Sequence, residues 1–169
     1  MKTLIVVDMQ NDFISGPLGT PEAKAIVPNV KNKIEKSIEN KQRVIFTRDT
    51  HNSHYWKTHE GKLLPVMHCI EGTPGWCVCN EVEKIECRHI NKRTFGYQHW
   101  AYEDDFEEDI EIIGVCTDIC VVSNALILRA LYPELNITVD ASCCAGTTPE
   151  NHKAALQVMK CCQINVIGE

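Results

Sequence analysis

No stretch of the sequence concentrates Lys and Arg into a stripe that could track a phosphate backbone. The 17 basic residues are scattered among 23 acidic ones, for a formal net charge of −6, and nucleic acid is not an expected partner. Long apolar runs are missing as well. The first, Leu4 to Val7, is four residues long before Asp8 ends it, too short for a secretory apolar region and far below the ~20 residues of a membrane span. The expectation is a cytoplasmic protein with no membrane contact. In that compartment the ten cysteines are expected as thiols, reactive, buried or metal-bound, and not as a disulfide framework. The turn after the first apolar run reads "DMQNDFIS", without the G-x-G-x-x-G that dinucleotide binding needs. Cys69, Cys77, Cys79 and Cys87 lack the paired C-x-x-C spacing of a structural zinc site. There is no internal repeat and no low-complexity segment.

What is present alternates. At 169 residues the chain is expected to form one domain, residues 1–169. Short β-branched runs at Thr3 to Val7, Arg43 to Thr47, Ile85 to Ile90, Ile110 to Val115, Asn136 to Val139 and Asn165 to Ile167 read as six strands. Between them, Val27, Val30, Ile34 and Ile38 share one helical face, and Asp118 to Leu131 is apolar nearly all round. Thr148-Pro149-Glu150 carries the start signals of a helix through Met159. Strands alternating with helices predict a three-layer α/β/α domain with a mostly parallel sheet. The exception is Asp49 to Glu81, which holds four histidines and no convincing period; long loops of this kind inside a domain are usually functional.

Candidate chemistry sits just past the strands, where open α/β sheets bind ligands: Asp8, Asp49, Lys92 and Cys120 each follow one. With Thr117 as N-cap, Cys120 falls in the first turn of a helix, where the dipole and a nearby Lys92 favour a thiolate. The ordinary alternative is that Cys120 packs, cysteine being among the most buried residue types. Asp8 could move the thiol proton as base and then acid, or merely serve the turn after a strand. Asp49 and His51, two apart on extended backbone, point the same way. His68 and one of His54, His59 or Glu60 could complete a nitrogen and oxygen shell for a divalent transition metal, against the alternative of surface histidines in a polar loop. Cys143-Cys144 and Cys161-Cys162 read as core or strand-edge pairs whose members face opposite ways.

Five motifs in order, "VVDMQNDF" (6–13), "TRDTH" (47–51), "HCIEGTPGW" (68–76), "INKRTFG" (90–96) and "GVCTDICV" (114–121), make the whole chain resemble the isochorismatase-like cysteine hydrolases, which include nicotinamidase. The resemblance implies a six-stranded, mostly parallel sheet of order 3-2-1-4-5-6, with the first and fourth strands adjacent. It implies a catalytic triad of Asp8, Lys92 and Cys120, and a non-proline cis peptide at Val115-Cys116 that aims the backbone amides of Cys116 and Cys120 at an oxyanion. It implies metal ligands Asp49, His51 and His68, with Glu60 as a fourth and His54 in reserve. The divalent metal it points to is zinc first, with iron, manganese or magnesium as alternatives. Phe13 matches the aromatic that packs on the substrate ring, and Leu64 or a neighbour stands where nicotinamidases often carry a second aromatic. The implied activity is hydrolysis of a small carboxamide to acid and ammonia through a thioester on Cys120, in a homo-oligomer, dimer or tetramer. The alternatives are vinyl ether hydrolysis of the isochorismatase type, or a noncatalytic metal- or ligand-binding member.

Overall fold

β-Branched residues tolerate burial on both faces of a pleated strand, and here they form the centre of a sheet. The computed structural model of the chain describes residues 1–103 and 106–169. Its strands are β1 (Thr3–Val7), β2 (Arg43–Asp49), β3 (Arg88–Lys92), β4 (Ile110–Val115), β5 (Ile137–Ala145) and β6 (Asn165–Ile167). They form one sheet of order β3-β2-β1-β4-β5-β6, every pairing parallel. Both β1 and β4 are buried at every position. Alternation then divides the core between two faces. Leu4, Val6 and Phe46 pack with Ile26, Val30 and Ile34 of the helix Pro21–Glu39 on one side. Ile5, Val7 and Ile112 pack with Ala125, Leu128 and Leu156 of the helices Val122–Leu131 and Pro149–Cys161 on the other.

We number the helices α1 (Asn11–Ile14), α2 (Pro21–Glu39), α3 (His59–Leu63), α4 (Trp100–Glu103), α5 (Val122–Leu131) and α6 (Pro149–Cys161). Two of them start on the chemistry that starts helices: Thr20 Oγ1 accepts from Ala23 N at 3.0 Å and Thr148 Oγ1 from Asn151 N at 3.1 Å, each just before a first-turn proline. The segment after β2 is not wholly irregular. It contains a 3-10 turn at Tyr55–Lys57 and α3, capped by Thr58 Oγ1 on Gly61 N at 3.0 Å.

Four sequence expectations are corrected. The buried face of α2 is Ala23, Ile26, Val30, Ile34 and Ser37, so Val27 lies at its margin and Ile38 is 38% exposed. β3 begins at Arg88, three residues late, because Ile85 lies in a turn and is 87% exposed. β5 runs on to Ala145, which puts Cys143 and Cys144 on opposite faces of the sheet. Cys161 and Cys162 are neither core nor strand edge: they are exposed where α6 ends.

One glycine sets how closely the central strands meet. Gly114, paired with Val7, has φ of +118°, and a Cβ there would lie 2.1 Å from the Val7 carbonyl oxygen. The carboxyl ends of β1 and β4 therefore adjoin directly above Asp8. In the outermost pairing on that side, β2 with β3, Asp49 and Lys92 are register partners.

Candidate active site and metal centre

Asp8 leaves β1 in the left-handed region, φ +49°, with its carboxylate fully buried. Lys92 comes up from the end of β3 and places Nζ 2.6 Å from Asp8 Oδ2 and 3.5 Å from Cys120 Sγ. Thr47 Oγ1 donates to Asp8 Oδ1 at 2.7 Å. Asp8, Lys92 and Cys120, distant in sequence, are thus in one buried cluster. Burial raises the Asp8 pKa above its ordinary value, with the Lys92 charge opposing. For Lys92, burial favours loss of the proton, but the charges of Asp8 and Asp49 and the hydrogen bond to Asp8 hold the ammonium. Burial also pushes the Cys120 thiol well above its usual range; Lys92 pulls the other way, while Asp8, by charge and hydrogen bond, holds the proton on sulfur. The resting group is a thiol beside a base, not the standing thiolate expected from a helix mouth, because desolvation exceeds what one cation returns.

The turn carrying Cys120 also differs from the expected cap. Thr117–Val121 is a π turn, closed by Val121 N on Cys116 O at 3.0 Å, and Cys116 occupies the cap position without a side-chain bond. Thr117 points elsewhere, its Oγ1 2.8 Å from His152 Nδ1. The Val115-Cys116 peptide is cis. Behind the turn, buried Asn124 donates to the Cys120 carbonyl at 2.8 Å. Its Oδ1 accepts from Tyr97 N and Trp100 Nε1, both at 2.9 Å.

Asp49, His51, Glu60 and His68 offer four ligand atoms that lie within 4.8 Å of one another. His51 Nε2 is 2.8 Å and His68 Nε2 3.4 Å from Asp49 Oδ2, and each is 3.6 Å from Glu60 Oε1. His68 Nδ1 lies 2.8 Å from the Val66 carbonyl, a bond that leaves Nε2 with its lone pair toward the cluster. Two imidazoles and two carboxylates at this spacing fit a divalent transition metal. Buried Gln10 clamps the main chain of the first ligand: its Oε1 accepts from Asp49 N at 2.7 Å and its Nε2 donates to Asp49 O at 2.8 Å. His54 and His59 are exposed and outside the cluster. Among the described residues Cys69, Cys77, Cys79 and Cys87 do not gather into a ligand group.

Cys120 from the buried cluster and Asp49, Glu60 and His68 from the ligand group reach one cavity of about 350 Å³. Phe13 and Leu64, expected at the substrate, line it, together with Asp49, Glu60, His68, Cys116 and Cys120. Leu18, Thr20, Phe95, Ile119 and Thr147 line it too and were not singled out from sequence. Phe95 and Ile119 lie inside "INKRTFG" and "GVCTDICV", beside residues that were, and carry no chemistry that would mark them. Thr147 is held by Asp118, which accepts from its N–H at 2.8 Å and its hydroxyl at 2.5 Å.

A sheet of this order, with the Cys120 turn after its fourth strand and Asp8 after its first, belongs to the isochorismatase-like α/β class. The family follows from the sequence: the Isochorismatase domain matches residues 2–168, and the chain belongs to that family. It is 25% identical to the nicotinamidase of Saccharomyces cerevisiae, over 100% of both chains. To the nicotinamidase/pyrazinamidase of Mycobacterium tuberculosis it is 24% identical, over 99% of this chain and 98% of that one. Among solved structures, the pyrazinamidase of Pyrococcus horikoshii in complex with zinc superposes with a TM-score of 0.81 at 29% identity, covering 99% of each chain.

Proposed function

We propose that this chain, acting as a single domain, is a nicotinamidase-like cysteine amidohydrolase that converts a small carboxamide and water into the acid and ammonia. The observation that carries the reading is the contact of Lys92 Nζ with both Asp8 and Cys120, at 2.6 and 3.5 Å, behind the cavity that Cys120 lines together with Asp49, Glu60 and His68. Asp8 takes the Cys120 proton as the sulfur attacks the amide carbon, while Lys92 holds the negative charge passing between them. The amides of Cys116 and Cys120 receive the oxyanion. Asp8 then gives its proton to the departing nitrogen, releasing ammonia and leaving an acyl thioester. Water, deprotonated by Asp8, attacks the thioester, and the proton returns to sulfur as the acid leaves. A divalent ion held by Asp49, His51, Glu60 and His68 would supply a Lewis acid that orients the substrate through a heteroatom or a water. Zinc is the expected metal, as in the Pyrococcus horikoshii complex.

The test is ammonia release from nicotinamide, pyrazinamide, N-carbamoyl compounds and short aliphatic amides, with elemental analysis of the purified protein. Turnover of at least one amide that is lost in Cys120→Ala supports the proposal. Absence of ammonia across the panel from metal-loaded protein contradicts it, and retention of vinyl ether hydrolysis by Cys120→Ala would favour the isochorismatase-type reaction.

A further inference from the structure

Resting on the amidohydrolase reading, we infer that the substrate is an uncharged carboxamide whose acyl part is apolar and larger than a single six-membered ring, held between Leu64 and Phe95 as it passes toward solvent. Charge is the first reason. Among the described residues no Lys or Arg lines the cavity; its only charged side chains are Asp49 and Glu60. Those two carboxylates formally balance a dication, and Lys92 lies behind them, matched to Asp8 at 2.6 Å. No cation remains for a carboxylate on the substrate, whose desolvation in this apolar space would go uncompensated. N-carbamoyl amino acids, which carry a free carboxylate, and the carboxylated substrates of vinyl ether hydrolysis are disfavoured alike.

Shape is the second reason. Phe13, Leu18 and Ile119 surround the inner cavity, and the outer wall is made by Leu64 and Phe95, which remain 38% and 46% exposed. Large apolar side chains that both line a cavity and face water mark a mouth that gains by being covered. Each further methylene buried there should raise kcat/KM about fourfold until the chain clears the mouth. Phe95 and Leu64 are then specificity-determining residues.

The experiment compares kcat/KM for 4-methylpentanamide, its near-isostere succinamate, nicotinamide and 4-propylbenzamide. It adds calorimetric binding of the same four to Cys120→Ala, with and without zinc. The expected result is at least a hundredfold preference for 4-methylpentanamide over succinamate in both rate and binding, and 4-propylbenzamide ahead of nicotinamide. Phe95→Arg should narrow the first ratio by tenfold or more. Cys120-dependent hydrolysis with succinamate equal or better, or with nicotinamide ahead of 4-propylbenzamide, overturns the inference and leaves the amidohydrolase reading standing. If no amide is turned over, that reading fails, and binding to Cys120→Ala still decides the preference: equal affinity for the isosteres overturns it.

Discussion

Asp8 and Lys92 form an ion pair with no exposure to water, a costly arrangement to maintain without a use for it. Removing one partner of such a pair typically costs about 3–5 kcal/mol, whereas removing both costs much less. Lys92→Met should therefore lower the melting temperature by about 10 °C or more, and adding Asp8→Asn should recover at least half of the loss; thermal melts of the two single variants and the double variant check this. The raised Asp8 pKa also fixes a pH limb. The proposed chemistry starts from the carboxylate, so kcat/KM should rise with pH as Asp8 loses its proton, with a midpoint above the ordinary carboxylate value of about 3.9. For stability the sign is opposite: the folded state keeps a proton that the unfolded chain has released, so this group's contribution is present below about pH 3.9 and lost as pH rises through the folded value. A pH-rate profile with its acid midpoint at or below 3.9 would contradict the assignment. Residues with reactive groups at strand ends were legible in the sequence. Gln10 and Asn124 were not, because their partners lie 39 and up to 29 residues away and nothing local marks an amide as a backbone clamp.

At the scale of elements, the junction of β1 and β4 leaves no room for a side chain at Gly114. Gly114→Ala would force a methyl to within 2.1 Å of the Val7 carbonyl at a φ of +118°, so it should destabilise by more than about 3 kcal/mol or prevent soluble expression; denaturant titration or yield measures this. The Cys120 turn is held by Asn124, and Asn124→Leu would leave the Trp100 indole, the Tyr97 amide and the Cys120 carbonyl without that partner. Unmade buried hydrogen bonds of this kind cost about 1–3 kcal/mol each, so a melting temperature at least about 5 °C lower is expected. The strands β1, β4 and β6 were readable to the residue because each is a short β-branched run bounded by polar or turn residues, whether buried throughout, as in β1 and β4, or largely exposed, as in β6. β3 was misplaced because Ile85 looked like core and is not, and the cap of the nucleophile turn because a π turn has no sequence signature of its own. The far half of β5 was missed because "ASCCA" lacks the β-branched residues that announce a strand.

For the whole molecule, strand order was legible only through the five motifs; composition and periodicity give an α/β sheet without saying that β1 lies beside β4. The candidate ligand group is likewise a property of the assembled fold, since Asp49, His51, Glu60 and His68 span the end of β2, the start of α3 and a loop. A ligand that binds only the folded state stabilises it by mass action, about 2.7 kcal/mol at a hundred times the dissociation constant. Zinc added to metal-free protein should thus raise the melting temperature by about 5–10 °C, an increment that His51→Ala reduces and a chelator reverses.

In the proposed reaction Cys120 becomes acylated during each turnover. Rapid acid quench of protein mixed with a turned-over amide, followed by intact and peptide mass spectrometry, tests it directly. The expected result is an acyl adduct on the peptide containing Cys120, with ammonia released as the adduct forms and no adduct in Cys120→Ala. Steady turnover with an unmodified Cys120, undiminished in Cys120→Ala, would contradict it.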